Sequence, residues 1–252
     1  MYRKILIISF LLSTILLTNI SCDDNSRSLG NFGIDIATVV PEDDGNYSLL
    51  LDNGIRLWPA ATAVDYNSLS KERVLLNYTI LSEERNGFDH YIKVNDIWTL
   101  LTKDIVELNT HNEDSIGNDP IKTNAVWVGG DYLNVSFHFN YGGERPHFIN
   151  LVENKTSTKT TNEVIEFELR HNSFESPAER LYEGFVCFDL KPLRQNDVDS
   201  VMLSVKVKEW SEQYDNNSKE NIYDVVYRYN RSINVQTTTM MPIPVITSNE
   251  YY

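Results

Sequence analysis

In YLNVSFHFNY, residues 132–141, Leu133, Val135, Phe137, Phe139 and Tyr141 fall on one side of an extended chain, with Asn134, Ser136, His138 and Asn140 on the other. That period of two is the feature that most limits what this chain can fold into, because it suits a β-strand with one buried and one wet face and cannot be satisfied by a helix. The same alternation recurs in VIEFELRH, in VMLSVKVK (Val201, Leu203, Val205 and Val207 inward) and in IYDVVYRY (Tyr223, Val225, Tyr227 and Tyr229 together). With NAVWV, HFINLV and GFVCFDL, the second half holds about seven strands, a number that suits an immunoglobulin-like sandwich of two sheets. No segment carries the 3.6-residue periodicity of a long amphipathic helix.

The first half also reads as strands joined by turns. DNGIRL places the turn pair Asn53-Gly54 between YSLLL and IRLWP, a strong hairpin signature. RVLLNYTIL and DHYIKVNDI follow as strands, IVEL closes the half, and AVDYNSLSKE leaves room for one short helix before the fourth strand. That pattern predicts a small Greek-key barrel of the OB type. NTHNEDSIGNDPIKT, residues 109–123, is rich in Asn, Asp, Gly and Pro and marks the junction. The expected organisation is all-β: an OB-like barrel over 31–112, a β-sandwich over 113–240 and a C-terminal tail over 241–252, where Pro242 and Pro244 interrupt any last edge strand.

The N-terminus reads as an address. Arg3 and Lys4 precede an apolar stretch from Ile5 to Leu17, about 20 Å long as a helix against the roughly 30 Å of a bilayer core. This suits a signal peptide over 1–21 rather than a span. Leu17, Ser21 and Cys22 resemble a lipobox, although Asn19 stands where Leu is usual. That resemblance makes Cys22 the lipid-attachment residue and 22–30 a polar tether, anchoring the chain in the outer membrane. Asp23 and Asp24 resemble a surface-export signal; a periplasm-facing anchor is the alternative.

The chain has 22 Lys plus Arg and 36 Asp plus Glu, and removing residues 1–21 with Arg3 and Lys4 leaves −16. Such a charge repels phosphate backbones, so nucleic acid is not an expected partner. With Cys22 acylated, only Cys187 remains, between Val186 and Phe188 in a run that reads as a strand buried on both faces. It is expected as a small buried hydrophobe rather than a reactive thiol.

The lipobox start, RVLLNYTIL, SIGNDPI, HFINLV, ELRHN and FVCFDL, in that order and spacing, resemble the NigD-like family of bacterial outer-membrane lipoproteins. The resemblance spans most of the mature chain. It implies an N-terminal OB-like domain followed by a β-sandwich, and the link of the family's name to a bacteriocin locus hints at immunity. It carries over no catalytic or ligand residues.

His147 is in phase with Ile149 and Leu151, and His171 with Ile165, Phe167 and Leu169, so both imidazoles should face the sandwich interior. Together with Asp189 they could form a metal site; as a pair alone they fix strand ends by hydrogen bonding, the structural reading favoured here. Trp58 and Trp98 are expected in the core. WVGGDY and NYGGE carry glycines that would display Trp127, Tyr132 and Tyr141 as a binding surface. Asp114-Ser115-Ile116, and DSV at 199–201, resemble an O-glycosylation motif, with Ser115 the better exposed. No GxSxG, GxxxxGK[ST] or HExxH is present. The expected function is therefore a non-catalytic, lipid-anchored binding module without cofactor, with a bacteriocin-like protein or a glycan as partner. A hydrolase of unrecognised type and a structural subunit of a surface assembly are the alternatives.

Overall fold

The computed structural model describes residues 32–66, 70–143, 145–153, 164–196, 198–211 and 218–229. The signal peptide, Cys22 with its tether and the C-terminal tail expected over 241–252 lie outside the described residues, as do residues 67–69 of the segment where a short helix was expected.

Five strands close the first barrel: β1 (Phe32–Pro41), β2 (Tyr47–Leu51), β3 (Arg56–Thr62), β4 (Arg73–Ser82) and β5 (His90–Thr99), in the order β1-β2-β3-β5-β4. The hairpin falls where Asn53-Gly54 placed it. Gly54 takes φ +94°, and the Ile55 amide donates to Asn53 Oδ1 at 3.0 Å, so both turn residues serve the geometry they are suited to. β3 pairs in parallel with β5, so β4 enters on the far side of β5, which requires the longer connection after Thr62. Ala37, Val39, Leu49, Leu57, Leu76, Ile92 and Val94 fill the interior.

The sandwich is larger than the alternation suggested. One sheet has five strands, in the order β14 (Ser218–Arg228), β13 (Ser200–Trp210), β11 (Val164–Asn172), β10 (Phe148–Glu153) and β7 (Val106–Glu107). The other has four: β6 (Leu101–Lys103), β12 (Arg180–Asp189), β9 (Tyr132–Tyr141) and β8 (Lys122–Gly129). The two extra strands come from residues directly after the barrel. IVEL, read as closing the barrel, instead lends β7 to the sandwich in parallel with β10, while β6 runs parallel to β12. Strands of two or three residues are too short to show a period, and their parallel partners lie far along the chain, which is why alternation misassigned them. A single helical turn, α1 (Glu113–Ile116), sits before β8.

The inward face of β13 is as expected, with Val201, Leu203, Val205 and Val207 all buried. They pack with Leu133, Phe137, Phe167 and Phe188, and truncating Phe137 to Ala would cost about 3–5 kcal/mol. The other face of β9 is not the wet face predicted. Asn134 is fully buried and Ser136 nearly so. From Gly33 onward the chain is one compact unit, and the barrel covers the start of β9. Among the described residues, no helix is long and apolar enough to cross a membrane.

Candidate functional site

β9 begins and ends at two buried polar clusters. At its start, the barrel meets the sandwich through Arg73, which is 1% exposed. Its guanidinium grips Asp52 with two donors, Nη1 to Oδ1 at 2.6 Å and Nη2 to Oδ2 at 2.8 Å. Nη1 also donates to Thr38 Oγ1 at 3.0 Å, and Nη2 to Asn134 Oδ1 at 3.3 Å. Asn134 Nδ2 returns a bond to Asp52 Oδ2 at 3.2 Å. Burial works against the cation, but Asp52 outweighs it and holds Arg73 charged. A forked pair of this kind is strong because it is planar and charge-assisted. Gly129 makes room for it: a Cβ there would collide with the Asp52 carboxylate.

Tyr132 belongs to this seam and is not displayed. It is 6% exposed, with the Arg73 guanidinium 4.4 Å from its ring centroid and Lys191 Nζ at 4.8 Å. Trp127 is half-buried, edge-on to Phe185 at 5.6 Å, in a cluster with Leu75, Leu100 and Cys187. The expectation that glycines push both rings outward is thus corrected, because the barrel covers the β8–β9 hairpin. Cys187 is fully buried, and burial pushes its thiol up to about 11. Trp58 and Trp98 differ from expectation the other way: Trp98 is 39% exposed and Trp58 half-buried against Phe88. A barrel strand gives one face to solvent, and these rings take it.

At the other end of β9 the histidines meet. His147 Nδ1 and His171 Nε2 are 3.0 Å apart, and both residues are buried. One ring must donate and the other accept, so at least one is neutral. Among the described residues, their outer nitrogens, His147 Nε2 and His171 Nδ1, have no hydrogen-bond partner. Phe139 lies 5.3 Å and Tyr141 5.0 Å from the His147 ring. Burial lowers the pKa of both imidazoles; for His171, burial and then His147 bring it to about 4. Asp119 works in the opposite sense but is itself held by the Ser173 amide and hydroxyl. No group of three His, Cys, Asp or Glu able to hold a metal occurs among the described residues. Asp189, the suggested third ligand, is bonded to Lys191 at 2.8 Å.

Beside the histidines lies a cluster that the sequence did not reveal. Phe148, 43% exposed, packs edge-on to Phe174 at 4.9 Å, and the Arg145 guanidinium sits 3.4 Å from the Phe174 centroid. Phe174 and Glu175 take φ of 50° and 59° in succession, left-handed positions that cost a side-chain-bearing residue about 1–2 kcal/mol each. The loop is held there by the Phe174 amide donating to Asn172 Oδ1 at 2.8 Å and by Ser176 Oγ accepting from the Gly142 amide at 3.2 Å. Of the three rings expected to form a surface, only half-buried Tyr141 lies here. Ser115 is exposed on α1, its hydroxyl donating to Asn112 O at 2.9 Å. Arg73 could have been suspected as a charge heading an apolar run, VLL, buried on both faces. Phe148, Phe174 and Arg145 carry no such signal, since only the fold brings them together.

The comparisons with known proteins point one way. A family model described as the NigD-like N-terminal OB domain matches residues 36–100, and one described as the NigD-like C-terminal beta sandwich domain matches 104–220. Among solved structures, a protein from Parabacteroides distasonis described only as toxin-related is similar at 34% identity and TM-score 0.66, over 79% of this chain and 94% of that one. A protein of unknown function from Bacteroides vulgatus is similar at 30% identity and TM-score 0.68, over 84% of this chain and 96% of that one. A NigD-like immunity protein from Bacteroides caccae shares the fold at 20% identity and TM-score 0.61, over 75% of this chain and 91% of that one. No curated protein matches. Barrel, sandwich and both domain matches lead to one conclusion: the chain belongs to the NigD-like family.

Proposed function

We propose that the protein is a non-catalytic binding module of the Gram-negative cell envelope, held to the outer membrane by a lipid on Cys22, and that its partner is a protein docking on the aromatic end of the sandwich. The observation that carries this reading is the partly exposed Arg145, Phe148 and Phe174 cluster, in which Phe174 belongs to a loop whose backbone is held in an unfavourable conformation. Arginine and large aromatics are the side chains that most often anchor protein interfaces, and backbone strain persists where surrounding structure enforces it, often at functional sites. The name of the Bacteroides caccae protein, an immunity protein, supports a protein partner over a glycan. The lipobox-like Leu17, Ser21 and Cys22 support the anchor.

The test is capture from intact cells with the full lipoprotein, comparing the unaltered chain with Phe148→Ser, Arg145→Ser and a control, Trp98→Ser, on the barrel. A partner retained by the control and lost by both end variants supports the reading. A partner held equally by all four, or none at all, overturns it. Protease shaving of the same cells separates surface from periplasmic exposure.

A further inference from the structure

A cavity lies elsewhere, against the seam. It measures about 280 Å³ and is walled on the barrel side by Val40, Leu50 and Asp52 and on the sandwich side by Asp131 and Tyr229, with Lys71 and Arg228 also lining it. At this size it is just below the usual range of ligand sites, which run from about 300 Å³ upward, and suits only a small group.

Its charges are not balanced as the sequence suggests. Both acids already have cations of their own: Asp52 is gripped by Arg73, and Asp131 Oδ1 takes Arg194 and the Tyr227 hydroxyl. Neither the Lys71 ammonium nor the Arg228 guanidinium has an ion pair or hydrogen bond among the described residues. Two uncommitted cations therefore share a cleft in a chain whose formal charge is −14. A partly enclosed cleft concentrates such a local field, while the rest of the surface repels anions. The remaining wall is apolar, with Leu50 38% exposed. A phosphate monoester, bearing close to two negative charges at neutral pH, would meet Asp52 and Asp131 at the same time. A singly charged group is repelled less and suits two monovalent cations better.

We propose that this cleft binds a carboxylate carried on a short apolar body, with Lys71 and Arg228 drawing the carboxylate and Leu50 and Val40 covering the hydrocarbon. The group can come from an acidic side chain of a peptide or from a free organic acid. The site is separate from the aromatic end of the sandwich and does not depend on that reading.

The test is ¹⁵N NMR on the full chain, following Gly54 and Gly130, whose residues line the cleft. The probes are 4-methylpentanoate, the capped peptide acetyl-Leu-Glu-Leu-amide, its Gln counterpart and inorganic phosphate. Saturable shifts at both glycines are expected with at least one carboxylate probe, weakened about tenfold in Lys71→Ala/Arg228→Ala and unchanged in Phe148→Ser. Response to the peptide alone identifies a protein side chain as the source, and response to both probes admits a free acid. The proposal is overturned by no saturable shift with either carboxylate, by an equal response to the Gln peptide or to phosphate, or by undiminished binding in the double variant.

Discussion

The seam under the barrel and the histidine end of the sandwich both bury polar side chains, at opposite ends of one ten-residue strand. At the seam, Asp52 and Asn134 have their polar atoms paired and Arg73 lacks a partner only at Nε. At the far end, two imidazoles share one hydrogen bond, and among the described residues neither outer nitrogen has a hydrogen-bond partner. A satisfied network fixes one arrangement of the elements it joins, whereas an unsatisfied one stores a cost that burial must offset. The seam therefore reads as architecture, and the exposed cluster beside the histidines, with its left-handed Phe174 and Glu175, is the end proposed for docking.

The comparison can be broken most strongly at Arg73. Arg73→Leu leaves Asp52 without its cation and is expected to cost about 3–5 kcal/mol. Calorimetry should then resolve separate transitions for barrel and sandwich; a small loss within one cooperative transition would show that apolar packing, not the ion pair, joins them. The histidine end should respond to pH instead. The His171 pKa is brought down from the ordinary 6.5 to about 4 in the native state, so the unfolded chain binds the extra proton first. Stability is complete above the unfolded pKa and falls as the pH drops from there toward 4, by up to about 1.4 kcal/mol per pH unit for one proton. Denaturant titrations between pH 7 and pH 4 measure the slope, and His147→Phe/His171→Phe should flatten it while leaving neutral stability nearly unchanged.

Smaller effects sharpen the contrast. Gly129→Ala places a methyl against Asp52 and should cost about 1–3 kcal/mol through overpacking. Its loss should shrink in an Asp52→Ala background if the clash is the cause. Phe148→Ser, at an exposed position, should change stability by no more than about 0.5 kcal/mol while abolishing partner capture. A large fall in melting temperature would make Phe148 a core residue and remove it from the interface.

The barrel, the hairpin at Asn53-Gly54 and the inward faces of β13 and β14 were legible because each is written in short-range pattern. Asn134 was misread for a physical reason: alternation reports which residues share a face, not what covers that face. Tyr132 and Trp127 were misplaced by the same gap, since their neighbouring glycines permit display but the barrel prevents it. The histidine pair was found by phase because both residues lie in or beside regular strands. Phe174 was not, because its position depends on two left-handed residues that no composition announces.

The stretch from Leu101 to Glu107 gives one edge to each sheet, β6 to the four-stranded and β7 to the five-stranded. A fragment cut at residue 104, where the sandwich match begins, would lose β6 and leave the β12 edge bare. Open edges recruit strands from other molecules. Such a fragment is expected to self-associate more readily than one that begins at Leu101 and keeps β6 on that edge.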